Sequence, residues 1–235
     1  MSSFPPNSKT AIVGATGAVG LELVSLLKTF NFAPPDLYAS ARSKGKTIDV
    51  GPSGFGPQVI EEFDCDLVLS KDYDYIFLAV SGAFSLEYGK KLASKGAYVI
   101  DNSSAFRYEA DVPLVIPEIN FDAIKPDDRL IANPNCTTAI GMMAIAPLHK
   151  LFGMKRMLMS TYQASSGAGN PGMEELRKGT LDVVTGKKEV RINSRSAWRQ
   201  GSVRHEGSFL SCFFFTSLLE INSTLPRRNF HIAGC

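Results

Sequence analysis

The chain has 235 residues, room for one large domain or two ordinary ones. Hydrophobic residues make up 44% and charged residues 20%, close to the soluble globular average, which excludes bulk disorder. Lys+Arg 25 against Asp+Glu 23 leaves a net charge of +2, so electrostatics argue against nucleic acid or an anionic membrane as the main partner. The four cysteines, Cys65, Cys136, Cys212 and Cys235, lie far apart. No C-x-x-C pair occurs, and the histidines fall at no zinc-ligand spacing. Neither a disulfide framework nor a metal is expected, and a reducing compartment suits the pattern. Residues 1–9 contain neither an apolar signal core nor an Arg-rich transit pattern, so a cytoplasmic location is expected. No apolar stretch of about 18 residues is present to span a membrane.

In chain order, residues 10–13 form a short apolar run ending at glycine, as a buried strand should. Leu21, Leu23, Val24, Leu26 and Leu27 then repeat at helical spacing. Residues 36–40 read as a second strand and residues 75–80 as a fully buried parallel one. A helix is expected around 84–93, stopped by Lys95-Gly96, and a strand at 98–100. Residues 130–132 read as a strand, 133–136 as a turn and 137–152 as a helix. Residues 157–163 read as a strand, 165–171 as a glycine-rich loop and 173–184 as a helix closed by Thr185-Gly186. This order implies an α/β fold with a parallel sheet. Beyond Gly186 the periodicity fades. Residues 191–207 are polar and basic, and 209–215 are crowded with aromatics. The apolar run of this tail either covers part of the preceding segment or forms a sticky patch.

Gly14-Ala15-Thr16-Gly17-Ala18-Val19-Gly20 lies between the first strand and the first helix. The first glycine permits the tight turn, the second lets backbone approach a pyrophosphate, and the third lets helix pack on strand. The helix N-terminus offers N–H groups and a positive dipole end to the phosphates. Ser40, Arg42 and Ser43 follow the second strand, with Lys44 and Lys46 nearby. This stretch has no carboxylate for a ribose 2′-hydroxyl, and Arg42 suits a 2′-phosphate, which favours NADP over NAD.

Asn133-Pro134-Asn135-Cys136-Thr137-Thr138 puts a cysteine at the first turn of a long apolar helix. Such a position favours thiolate, the nucleophile that attacks an aldehyde or acyl phosphate. Helix-end N–H groups stabilise the oxyanion that results. A buried structural cysteine is the other reading that spacing alone permits.

Taken with Asp101-Asn102-Ser103-Ser104-Ala105-Phe106-Arg107, Pro117-Glu118-Ile119-Asn120 and Tyr162-Gln163-Ala164-Ser165-Ser166-Gly167-Ala168-Gly169, these motifs make residues 9–186 resemble the aspartate-semialdehyde dehydrogenase family. The resemblance implies NADPH-dependent reduction of L-4-aspartyl phosphate to the semialdehyde, with release of phosphate. It implies Cys136 as nucleophile and Gln163 as the residue that orients substrate. Asn135 would contact the substrate or its oxyanion, and Arg107 would bind the departing phosphate. Gly14, Thr16, Gly17, Ala18, Val19 and Gly20 would hold the cofactor. Ser40, Arg42 and Ser43 match positions that hold the 2′-phosphate, and Ser166 and Gly167 a loop on the nicotinamide side. The resemblance also implies a Rossmann-type NADP-binding domain over residues 1–135 and an incomplete α+β catalytic and dimerisation domain over 136–235, whose tail from about 187 is truncated or misassembled. A homodimer or homotetramer is implied if that second domain is complete.

The family also has a substrate-carboxylate arginine and, a few residues later, an acid–base histidine. Arg199 and His205 come nearest, but their spacing and flanks do not match, so those roles are not carried over. Without the acid–base group, turnover is expected to fall by about 10²–10⁴-fold. The alternatives are a catalytically impaired NADP-binding fragment of the family and the related N-acetyl-glutamyl-phosphate reductase.

Overall fold

The computed structural model describes residues 8–154, 157–186 and 214–219. They group into two compact units, divided after Ala139. In the first unit the chain begins mid-sheet, at β1 (Thr10–Val13), four buried residues in a row. It continues through α1 (Ala18–Thr29), β2 (Asp36–Ala39), β3 (Thr47–Ile48), β4 (Gln58–Glu62) and α2 (Cys65–Ser70). Then come β5 (Tyr75–Leu78), α3 (Gly82–Ala93), β6 (Tyr98–Asp101), α4 (Pro117–Asn120) and β7 (Leu130–Ala132). The seven strands form one sheet in the order β3-β4-β2-β1-β5-β6-β7. All neighbours run parallel except β3, an antiparallel edge strand on β4.

Such a sheet needs cover on both faces, and alternate residues of each strand supply it. Ala11, Val13, Tyr38, Ile76, Leu78 and Val99 pack on one face with Val68 of α2 and Leu92 of α3. Ile12 and Leu37 point to the other, against Val24 and Leu27 of α1. Each fully buried aliphatic side chain there contributes about 1.5–3 kcal/mol. The result is the Rossmann-type α/β fold expected from the alternating elements.

The strands at β1, β2, β5, β6 and β7 fall within two residues of the sequence expectation. β3, β4, α2 and α4 were not foreseen. β4 is polar and buries only Ile60, so it lacks an apolar run; pairing with β2 makes it a strand. The helix α2 is short, but it has a local signal: the Asp64 carboxylate caps it by accepting from the Leu67 N–H at 3.0 Å.

The helix α5 (Cys136–Phe152) carries the chain across the division. The second unit holds β8 (Met157–Tyr162), α6 (Gly169–Val184) and β9 (Phe214–Leu219). The helix α6 starts at Gly169 rather than 173, because Pro171 is tolerated in a first helical turn. β9 pairs antiparallel with β8, from Met157 opposite Leu219 to Tyr162 opposite Phe214. Part of the aromatic tail therefore forms a two-stranded sheet with β8. The rest of the tail, with Arg199 and His205, lies outside the described residues. No helix among the described residues is long and apolar enough to cross a membrane.

Beneath the sheet centre, a polar network ties β2 to the segment before β5. The Tyr38 and Tyr73 hydroxyls lie 2.7 Å apart, and Tyr73 donates to the Asp36 carboxylate. Lys71 reaches Asp36 at 3.3 Å and Glu61 at 3.2 Å. Burial, then the hydrogen bonds to Asp36 and Tyr38, push the Tyr73 phenol far above the ordinary tyrosine range. Burial alone would lower the Lys71 ammonium; contacts with Tyr38, Glu61 and Asp36 outweigh it and hold the group above the usual lysine value. Tyr38 is fully buried, and Tyr73 links its hydroxyl to the Asp36 carboxylate, beside the contact with Lys71. The variant Tyr73→Phe is therefore expected to cost about 1–3 kcal/mol. A urea unfolding curve for the first unit with an unchanged midpoint would contradict this.

Candidate active site

The chain runs outward from β1 to β2 and β4, then returns to place β5 beside β1. The crevice at the carboxyl ends of β1 and β5 is thus a topological switch point, where open α/β sheets take their ligands. Gly14 turns the chain there with φ +92°, and its N–H donates to the Tyr38 carbonyl at 2.8 Å. A Cβ on Gly14 would lie 2.2 Å from the Ala79 carbonyl oxygen, in the loop leaving β5. A Cβ on Gly20 would lie 2.5 Å from the Gly14 oxygen, so the start of α1 presses on the turn. Gly17 meets no such obstacle in the protein: its nearest neighbour would be 3.5 Å away. Gly17 is the N-cap of α1, makes no side-chain cap, and is followed by a first turn without acidic residues. Thr16, Ala18 and Val19 are exposed around it. This turn fits a dinucleotide pyrophosphate, since no capping or acidic side chain competes for the helix-end N–H groups.

Ser40, Arg42 and Ser43 leave β2 at the same sheet edge, in a 3-10 turn over Ala41–Ser43. Ser40 and Arg42 are exposed, and the Ser43 N–H donates to the Ser40 carbonyl at 2.8 Å. Lys44 pairs with Glu62 across exposed surface, a contact of little energetic weight.

At the exits of β6 and β7 the polar contacts are denser. Asp101 is fully buried at the end of β6. Its carboxylate accepts from the Ser85 hydroxyl of α3 at 2.7 Å, the Ser103 hydroxyl at 2.7 Å and the Ser103 N–H at 3.2 Å. Buried Phe106 pins the same loop to the core, next to Arg107. Arg107 then bridges two loops: its Nε donates to the Asn133 carbonyl at 2.9 Å, its Nη2 to the Asn102 carbonyl at 3.1 Å. Asn133 opens the Asn-Pro-Asn-Cys turn after β7. Asn135 accepts on Oδ1 from the Thr137 N–H at 2.9 Å and from the Thr137 hydroxyl, capping α5. Cys136 comes next as the first residue of α5, a free and exposed thiol with Sγ 4.0 Å from Asn135 Oδ1. Arg107, Asn135 and Cys136 thus share one edge of the sheet with the glycine turn. Sequence reasoning missed Asp101, Ser85, Asn102 and Asn133 as parts of this arrangement. Their signal, polar residues at the exits of β6 and β7 and a serine on the buried face of α3, becomes specific only once strand order is known.

Gln163, Ser166 and Gly167 form a second group, in the second unit. Ser165–Ala168 is a 3-10 turn, and Ser166 is exposed. A Cβ on Gly167 would lie 1.9 Å from Gln163 Nε2, so the Gln163 amide occupies the space that a side chain would take.

Comparison with known proteins agrees with this geometry. Residues 9–126 match the family described as Semialdehyde dehydrogenase, NAD binding domain. The first unit is therefore a nicotinamide-dinucleotide-binding domain of the semialdehyde dehydrogenase class. Over 189 residues the chain is 43% identical to an aspartate-semialdehyde dehydrogenase of Synechocystis sp., covering 78% of this chain and 54% of that one. It is 42% identical to the Campylobacter jejuni enzyme of the same name over 172 residues, 72% of this chain and 49% of that one. A crystal structure of aspartate semialdehyde dehydrogenase II from Vibrio cholerae, complexed with ASA, superposes with a TM-score of 0.65 at 33% identity. That match covers 79% of this chain and 56% of the Vibrio chain. The chain belongs to the aspartate-semialdehyde dehydrogenase family. It spans about half the length of the curated relatives it matches.

The Gly167 contact is with the end of a flexible side chain, so an added methyl displaces the amide rather than the backbone. Gly167→Ala is expected to leave the melting temperature near that of the parent and to shift the Gln163 side-chain amide resonances in a nitrogen–proton NMR spectrum. A lowered melting temperature with unmoved Gln163 resonances would contradict it.

Proposed function

We propose that this chain is an oxidoreductase of aspartate-semialdehyde dehydrogenase type. Its reaction is the NADPH-dependent reductive dephosphorylation of L-4-aspartyl phosphate to L-aspartate 4-semialdehyde, a step of lysine, threonine and methionine biosynthesis. One observation carries the reading: Cys136 is an exposed thiol at the first residue of α5, three residues after the carbonyl that Arg107 holds. In support, a Vibrio cholerae neighbour is described as complexed with ASA. A Candida albicans neighbour at 27% identity, with a TM-score of 0.58 over 71% of this chain, is described with NADP. Residues 1–135 are the NADP-binding domain of a cytoplasmic protein, and residues 136–235 are part of a catalytic domain that, where complete, pairs subunits as a homodimer or homotetramer.

The Cys136 sulfur attacks the acyl phosphate carbonyl, and the carbon–oxygen bond to phosphate breaks to leave a thioester. Arg107 takes the departing phosphate, to which its planar cation is suited. Asn135 lies beside the reacting carbonyl and stabilises its oxyanion. Gln163 orients the substrate. When bound, NADPH would supply the hydride that reduces the thioester, and cleavage of the carbon–sulfur bond then frees the semialdehyde and returns the Cys136 thiolate. The exposed Arg42, with Ser40 and Ser43 and without a carboxylate in that turn, favours a 2′-phosphate over a free 2′-hydroxyl.

A second reading, an NADP-binding chain with impaired catalysis, is favoured by one observation: no histidine in residues 187–235 matches the family's acid–base position. One assay separates the two. Given semialdehyde, phosphate and NADP, the chain is expected to form NADPH, and Cys136→Ser to abolish it. Cofactor binding without turnover would favour the second reading, and a folded chain that binds no NADP would overturn both. In a binding titration, Arg42→Ala is expected to weaken NADP about tenfold while leaving NAD nearly unchanged. Equal weakening of both would refute the 2′-phosphate role.

A further inference from the structure

Asn102 and Asn133 leave the neighbouring parallel strands β6 and β7, 31 residues apart in the chain. Asn133 Nδ2 donates to Asn102 Oδ1 at 2.7 Å. Each backbone is also tied inward. The Asn102 N–H donates to the Leu78 carbonyl at 3.0 Å, and the Asn133 N–H to the Asp101 carbonyl at 2.8 Å. Both carbonyls point the other way, to the Arg107 guanidinium, at 3.1 and 2.9 Å. The two asparagines and the arginine therefore close a ring of three hydrogen bonds across two strand exits. Both asparagines are half-buried, so water competes only in part for these bonds.

The ring is coupled to the thiol through a short, stiff stretch of backbone. Pro134 is buried; its ring fixes its own φ and restricts Asn133 to extended backbone. Asn135 is held in turn by its cap on Thr137. Between the Asn133 carbonyl and Cys136 the backbone has little freedom left. A change in the spacing of the β6 and β7 exits would therefore move Arg107 and the thiol relative to each other.

We propose that the Asn102–Asn133 side-chain pair is a positioning element, which sets the separation of the two strand exits and thereby holds Arg107 at its working distance from Cys136. The proposal rests on the reading of Arg107 as the phosphate cation and Cys136 as the nucleophile. Neither asparagine touches the reacting atoms in this role. The pair acts as one unit, since a lone asparagine leaves its partner's amide without a neighbour while removal of both leaves no orphan.

The test uses inorganic phosphate as probe and the alkylation of Cys136 by iodoacetamide, mapped by mass spectrometry, as readout. Phosphate held by Arg107 is expected to protect Cys136 in the parent chain. Asn102→Leu and Asn133→Leu are each expected to raise the half-protecting phosphate concentration about tenfold. The double variant is expected to be no worse than either single one. NADP binding, made at the glycine turn, should persist in all three and reports that they fold. Where leucine prevents folding, alanine at the same positions carries the same cycle. Unchanged protection in the single variants, or losses that multiply in the double one, would overturn the proposal. Absence of protection in the parent would overturn the phosphate reading of Arg107 and the proposal with it. A purely structural role would lower melting temperatures without shifting phosphate protection.

Discussion

The exit of β1 passes so close to the exit of β5 that no side chain fits at position 14: a Cβ there would sit 2.2 Å from the Ala79 oxygen. The two strands are neighbours because the chain returns to the sheet centre after building one wing. Close approach forces the chain to turn at once, and the turn delivers the start of α1 to the crevice mouth. Gly20 lets that helix start sit against the turn. The Tyr38 carbonyl accepts from both Gly14 and Ala15, and the Tyr38 ring is locked from below by Tyr73. The helix end proposed to take the phosphates is thus tied, through Tyr38, to the polar network of Tyr73, Asp36 and Lys71.

The other half of the site is built by the wing that runs from β5 to β7. Here the constraint is polar satisfaction rather than steric contact. A fully buried carboxylate, Asp101, is stable only because two serines and a backbone N–H surround it. Those donors come from α3 and from the loop that carries Arg107, so satisfying the charge shapes the loop. Arg107 uses two of its donors on backbone carbonyls. A cation held this way is ordered before any ligand arrives, and less conformational freedom is lost on binding. The same logic places Cys136, through Pro134 and the Asn135 cap.

In the second unit, packing and space decide matters again. Gly141 of α5 lies against Met159 of β8, where a Cβ would come within 2.8 Å of the sulfur. Gln163, one residue past β8, lies across Gly167. β8 takes β9 as its hydrogen-bonded neighbour, so a segment with no family pattern still satisfies backbone groups of the strand that leads to Gln163.

What the sequence determined alone is everything whose physics is local. Apolar runs mark β1, β5 and β6, glycine spacing marks the nucleotide turn, and a cysteine after Asn-Pro-Asn marks a helix start, because periodicity and turn chemistry act over a few residues. Family membership was legible in the same short motifs. The tertiary structure alone decided which distant residues meet: Asn102 with Asn133, Arg107 with both their carbonyls, Ser85 with Asp101, β4 with β2 and β9 with β8. A single hydrogen bond of about 1 kcal/mol is too weak to bring such residues together. They meet because burial of the strand faces fixes strand order and register, and that order is a property of the whole sheet rather than of any segment.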